Sequence, residues 1–223
     1  MVKLNAQPLW VSPAKEIGFV AWLQQALQRS KARGANWQVL GQQVLMGKLN
    51  IPVIPPEEVA KLELSEYARP RVAQTQQLAP YGLPSNLDAW DGYPAARERL
   101  FALLTAHATN PISLAGDTHN GWAFNLTNQK GEAVGVEWGT PGVSSPGLEN
   151  YVPLPPEQMQ ALLKGASPEL VTCDTSQRGW TQVTLSPEAA TAQWQFVSSV
   201  TEPSYQTSAG EPLVIQRNAR ALA

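Results

Sequence analysis

The sequence predicts a mixed α/β (α+β) fold, with layered sheets and helices outside. Three observations carry this. Hydrophobic residues make up 43% of the 223 positions and charged residues 15%, a globular balance large enough for one sizeable core. The readable elements run α-β-loop-α-β-β-β-α-β-β-β. Eight tryptophans and nineteen prolines suit long, ordered loops with aromatic anchors rather than a helical bundle.

The bulk numbers also exclude function classes. A formal net charge of −2 leaves no electrostatic footprint for nucleic acid. No Lys/Arg run points to a membrane surface, and no apolar run is long enough to span a bilayer. The opening MVKLNAQPLW has no continuous apolar stretch, so no signal peptide is expected. Cys173 has no cysteine partner and reads as a small core hydrophobe.

Taken in order, Ser12-Pro13 reads as a cap followed by a first-turn proline. Ile17, Val20, Leu23 and Leu27 then recur at helical spacing. Lys31 and Arg33 suit the C-terminus of that helix, and Gly34 can stop it. NWQVLGQQVLM (36–46) reads as a strand. Residues 51–90 read as a loop-rich insertion, with helix expected only around Glu57–Leu64. Pro94 opens a second helix with Leu100, Leu103 and Leu104 on one face and Arg97, Glu98 and Arg99 outward. His107 falls at its end. NPISLAGD, WAFNLT and AVGVEW are strands, and TPGVSSPG is a turn-rich loop. A helix in PPEQMQALLKG precedes LVTCDT, GWTQVTL and TAQWQFVSSV, read as an antiparallel meander.

The stretch ISLAGDTHNGW (112–122) is where chemistry is most plausible. Asp117 and His119 follow a buried strand, at the end where layered α/β folds bind ligands. In extended backbone, residues two apart project the same way, so both can aim at one point. A carboxylate and an imidazole make a sensible mixed pair for a metal ion, and Gly116 lets backbone approach closely. The same residues also suit a polar turn, with Asp117 in an Asx turn. The residues alone leave both readings open. Asp88 and Asp91 flank Trp90 and either reach the site or mark a loop-to-helix junction. Trp122 is a pocket wall or a packed core residue, and Asn120 a phosphate donor or a turn residue. G-x-S-x-G, a P-loop and paired CxxC motifs are all absent.

DAWDGYPAARERL, NPISLAGDTHNGWAFNL and VGVEWGTPGVSSPG, in this order and spacing, resemble the C-terminal half of the PhoD-like (alkaline phosphatase D) metallophosphoesterases. AWLQQALQRSKARGANWQVLGQQVLM and the closing RGWTQVTLSPEAATAQWQFV also fit the family's pattern. The resemblance implies half of a calcineurin-like β-sandwich flanked by helices, acting on phosphomonoesters and phosphodiesters. It also implies iron and calcium as cofactors, with Asp117 and His119 as ligands. Asp117 stands where related motifs carry a first histidine. A carboxylate facing calcium and an imidazole facing iron agrees with ligand hardness. Asp88, Asp91, Asn120 and Trp122 are then candidates to orient the ligands or line the substrate pocket, beside their structural readings.

The family's earlier metal-binding motifs have no counterpart, since the one Gly-Asp pair is 116–117. The expectation is a single PhoD-like domain over residues 1–223, incomplete at its N-terminus, whose partner is a missing N-terminal half. Family members are typically exported, and the missing leader agrees with a fragment. The alternative is a non-catalytic remnant or interaction module. Uncovered sheet edges predict that the isolated chain self-associates.

Overall fold

The computed structural model describes residues 13–222, with side chains from residue 18. It stacks helices, a five-stranded sheet and a four-stranded sheet. Helix α1 (Pro13–Ala32) begins at the expected proline, and Gly34 follows with a φ of +74° that stops it. Leu23 and Leu27 are buried as their spacing predicts. The Ser12 cap and the Ile17 side chain lie outside the described residues.

Strand β1 (Gln38–Gly41) is shorter than the 36–46 run suggested, because the chain dives beneath the sheet after Gln42. Helices α2 (Pro56–Val59) and α3 (Ala68–Leu78) follow. The 51–90 stretch therefore holds an 11-residue helix where a loop was expected. That helix buries only Ala68 and Val72, so it offers no apolar stripe to read. Gln76 on it accepts from Ile54 N–H (2.8 Å) and donates to the Pro52 carbonyl (3.1 Å), clipping the proline-rich segment in place.

Helix α4 (Pro94–His107) buries Leu100, Phe101 and Leu104. Arg97, expected on its outer face, is also buried. Its Nη2 lies 2.6 Å from Glu169 Oε2, its Nε donates to the Met46 carbonyl (2.7 Å) and its Nη1 to that of Thr127 (3.1 Å). One carboxylate and two carbonyls replace the water that burial removes.

The first sheet contains β2 (Pro111–Ala115), β3 (Gly121–Thr127), β4 (Ala133–Gly139) and β5 (Leu170–Asp174), in the order β1-β2-β4-β3-β5. β1, β2 and β4 are parallel; β3 runs antiparallel to β4 and β5. The second sheet contains β6 (Arg178–Leu185), β7 (Ala189–Val197), β8 (Thr207–Ala209) and β9 (Leu213–Gln216). β7 pairs with β6 along one edge and with β8 and β9 along the other. Neither sheet closes into a barrel.

The expected three-strand meander is thus corrected. Helix α5 (Pro156–Ala166) returns LVTCDT to β3 in the first sheet, where Leu170 and Cys173 join the helix-side core. The Asp174 carboxylate then accepts from Ser176 N–H (2.9 Å) and Gln177 N–H (2.7 Å), an Asx-type turn that sends the chain to the second sheet. Only the β6–β7 hairpin of the meander survives.

β3 shows why the layers hold. Trp122, Phe124 and Leu126 point to the helices, while Ala123 faces the second sheet with Ile112, Ala190 and Ala192. Cys173 is buried as expected, and burial pushes its thiol up to about 12. Among the described residues, no helix is long and apolar enough to cross a membrane.

Candidate active-site corner

Between β2 and β3 the chain makes a tight turn at Gly116–Asn120. Asp117 (φ +68°) and His119 (φ +62°) both adopt left-handed backbone. The Thr118 N–H bonds back to the Gly116 carbonyl (2.8 Å), closing a three-residue turn around Asp117. The expected extended Asp-x-His geometry is therefore corrected: the two residues share a strained turn, not one strand face. Non-glycine residues in such backbone cost on the order of 1–3 kcal/mol each and persist only where their surroundings over-determine them.

The surroundings here do so. Gly116 N–H donates to the Gln43 carbonyl (3.0 Å), and Gln43 Nε2 lies 3.3 Å from Asp117 Oδ1. Trp122 Nε1 donates to Thr118 Oγ1 (2.6 Å). His119 Nδ1 sits 2.9 Å from the Pro146 carbonyl oxygen. A carbonyl can only accept, so Nδ1 carries the proton, which selects the tautomer whose lone pair lies on Nε2. The His119 carbonyl accepts from Gly142 N–H (2.9 Å) and from Arg178 Nη1.

Trp122 is 2% exposed and stacks on Phe124 at 6.3 Å, so it is a core residue that steadies the turn rather than a pocket wall. Asn120 is buried, and its Oδ1 accepts from Leu148 N–H (3.0 Å), fastening the TPGVSSPG loop.

WDGYP has its own logic. Trp90 Nε1 donates to Gln42 Oε1 (2.7 Å), and Asp91 Oδ2 accepts from Leu49 N–H (3.0 Å). Gly92 lies so close to the Leu87 backbone that a Cβ would collide with it, and Pro94 starts α4. Burial pushes Asp91 up to about 6, against its bond from Leu49 and the nearby Arg97 charge. Asp91 shares a small cleft of about 20 Å³ with Asp117 and Thr118, room for a single water-sized species. Asp88 is exposed and accepts from the Tyr93 hydroxyl (3.2 Å), so it belongs to the loop surface.

Several residues that brace this turn escaped the sequence reading. Glu137 on β4 is fully buried and accepts from Met46 N–H, Gly47 N–H, Ser113 Oγ and Gln42 Nε2. Burial raises its pKa, and those four donors pull against the rise. It anchors the 42–47 loop that supplies Gln43 to the turn. Arg178, Glu149 and Pro146 were equally unforeseen; the glycines of TPGVSSPG were the available signal of close packing. A second, open cleft of about 600 Å³ lies at the carboxyl ends of β1 and β2, lined by Gln42, Gly116, Trp138, Thr140, Trp180 and Val183.

A profile of the PhoD-like phosphatase family matches residues 20–194, most of the chain. The chain belongs to the PhoD-like phosphatase family. It is 28% identical over 142 residues to alkaline phosphatase D of Bacillus subtilis (strain 168), a match over 61% of this chain and 24% of that one. It also superimposes on a solved structure of PhoD with a TM-score of 0.62 at 24% identity, over 92% of this chain and 34% of the other. This PhoD-like chain therefore spans about a quarter to a third of these relatives.

Among the described residues, no three His, Cys, Asp or Glu side chains converge to hold a metal ion. On this turn Asp117 offers a carboxylate held by a single long contact and His119 an imidazole whose Nε2 makes no bond among the described residues, donor types that suit a metal ion only with further ligands. They do not make a complete site.

Proposed function

We propose that this chain forms one corner of a metal-dependent phosphoester-hydrolysing site, with Asp117 and His119 as ligands. The remaining ligands come from polypeptide outside this sequence, in a calcineurin-like sandwich of which residues 1–223 are one incomplete domain. The observation that carries the reading is the Nδ1–H bond from His119 to the Pro146 carbonyl, which presents Nε2 as a ready donor. Iron facing the imidazole and calcium facing the carboxylate match donor hardness. Bound metal ions would polarise the phosphoryl oxygens and offset charge on the leaving oxygen. The protein's own part is to hold both donors on a rigid turn, and the open cleft beside Gly116 has room for the organic part of a phosphomonoester or phosphodiester.

The test co-expresses the chain with the portion of the Bacillus subtilis relative that it does not match. Bound iron and calcium and hydrolysis of bis(p-nitrophenyl) phosphate are then measured. Metal and turnover are expected together, and each falls at least tenfold in His119→Ala and Asp117→Asn. Full metal content in both variants would overturn the ligand assignment.

A second reading, a non-catalytic interaction module, is favoured by the missing third ligand among the described residues. Full activity of the isolated chain would exclude it.

A further inference from the structure

We propose that Arg178 is a positioning residue for His119, fixing the imidazole tautomer through a closed ring of contacts that includes Glu149 and the Pro146 carbonyl. This rests on the proposed role of His119, but its physical content stands without a metal.

The left-handed backbone of His119 means that no regular element fixes its ring. The ring is set by the Pro146 carbonyl at 2.9 Å. That carbonyl is itself on a loop, placed by its neighbours: Gly147 N–H donates to Glu149 Oε1 (3.1 Å) and Leu148 N–H to Asn120 Oδ1 (3.0 Å). Glu149 is ion-paired to Arg178 Nη2, and Arg178 Nη1 donates to the His119 carbonyl. The next residue, Gly179, donates its N–H to the Gly142 carbonyl (2.9 Å) at the other end of the loop. The ring thus runs from the His119 backbone through Arg178, Glu149 and Gly147 to Pro146, and back to His119 Nδ1. It ties together the β2–β3 turn, the β4–α5 loop and the start of β6.

Arginine suits this place because its planar fork serves two partners at once, which a lysine ammonium cannot do in the same geometry. Arg178 and Asn120 are both buried; Arg178 Nη2 meets Glu149 as an ion pair without a directed hydrogen bond, and Asn120 Nδ2 and Glu149 Oε2 have no hydrogen-bond partner among the described residues. Unsatisfied buried polar atoms are costly, so a brace that keeps them serves something other than stability. A histidine side chain in water prefers the Nε2–H tautomer. Holding the carbonyl of Pro146 against Nδ1 inverts that preference and leaves Nε2 as the donor.

The chain has two histidines, so imidazole nitrogen spectra of the metal-free, ¹⁵N-labelled protein resolve them readily. At alkaline pH, His119 is expected as Nδ1–H in the wild type, with His107 as the internal reference. Glu149→Gln and Arg178→Lys are expected to move roughly half or more of His119 to Nε2–H while His107 stays unchanged. Amide spectra report folding; if Arg178→Lys does not fold, Glu149→Gln decides, because Glu149 lies at the partly exposed rim. A wild-type His119 in the Nε2–H form, or an unmoved tautomer in folded Glu149→Gln, would overturn the proposal. A wild-type Nδ1–H ring that takes up no metal even when the chain is co-expressed with the unmatched portion of the Bacillus subtilis relative would instead sink the metal reading and leave the positioning role intact.

Discussion

Asp91 and Glu137 are acids whose burial outweighs the groups that stabilise their charge. For Asp91 the facing groups are Leu49 N–H, Arg97 and Glu169, and its pKa rises from 3.8 to about 6. The folded state therefore binds this proton more tightly than the unfolded chain does. Stability contributed by the protonated form is fully present below about pH 4 and is lost as pH rises to about 6. An Asn side chain can still accept from Leu49 N–H and has no proton to lose. Asp91→Asn should flatten the fall in stability across that window and gain on the order of 1–2 kcal/mol at pH 7. Urea midpoints at pH 4 and 7 check this; equal slopes in both proteins would refute it. Glu137 faces four donors, so Glu137→Gln turns an amide N–H₂ toward N–H groups. A loss on the order of 2–3 kcal/mol is expected from the leftover donors. Neither behaviour was legible in the sequence, because the donors to Glu137 come from residues 42–47 and 113, far away along the chain.

Elements with a clear period were legible, and those set by distant partners were not. The apolar faces of α1 and α4 and the short buried run of β2 declare themselves over a few residues. α3 does not, since it is held by a glutamine clip and two small buried side chains. β5 was legible as a strand but not as a member of the first sheet, because pairing depends on where α5 delivers it. The same logic applies to the TPGVSSPG loop, whose glycines mark where it presses on the site. A Cβ at Gly147 would lie 2.3 Å from Asn120 Nδ2 and 2.9 Å from Arg178 Nη2, both buried and held in place. Gly147→Ala should therefore destabilise by about 1–3 kcal/mol through overpacking. Gly18 in α1 has nothing within 4 Å of its Cβ position, so Gly18→Ala should stabilise by about 0.5–1 kcal/mol. Thermal midpoints moving in opposite directions confirm the contrast; a neutral Gly147→Ala would show that the loop yields.

At the scale of the whole molecule, the β1 edge of the first sheet has no pairing strand among the described residues. Among the described residues β1 pairs only with β2, and the pairing is parallel. Parallel strands normally lie inside sheets, covered on both sides, so an open parallel edge leaves a row of backbone donors and acceptors seeking partners. Val39 on β1 is 41% exposed, and on α1 Phe19 and Trp22 are 51% and 57% exposed with their rings 5.8 Å apart. The turn that carries Asp117 and His119 has the same character, since no third His, Cys, Asp or Glu joins them among the described residues. Both features fit a chain that matches 24% and 34% of its relatives' lengths. The isolated chain should accordingly associate with itself as concentration rises. A charge placed on the edge opposes strand addition without disturbing the core, because Val39 is already half in solvent. Val39→Lys should shift light-scattering mass toward the monomer at equal concentration, with an unchanged circular dichroism spectrum. Replacing Trp22 by Gln should do less if the edge dominates and more if the helix face does. A wild-type chain that stays monomeric across the whole concentration range would show that the edge is protected within the chain itself.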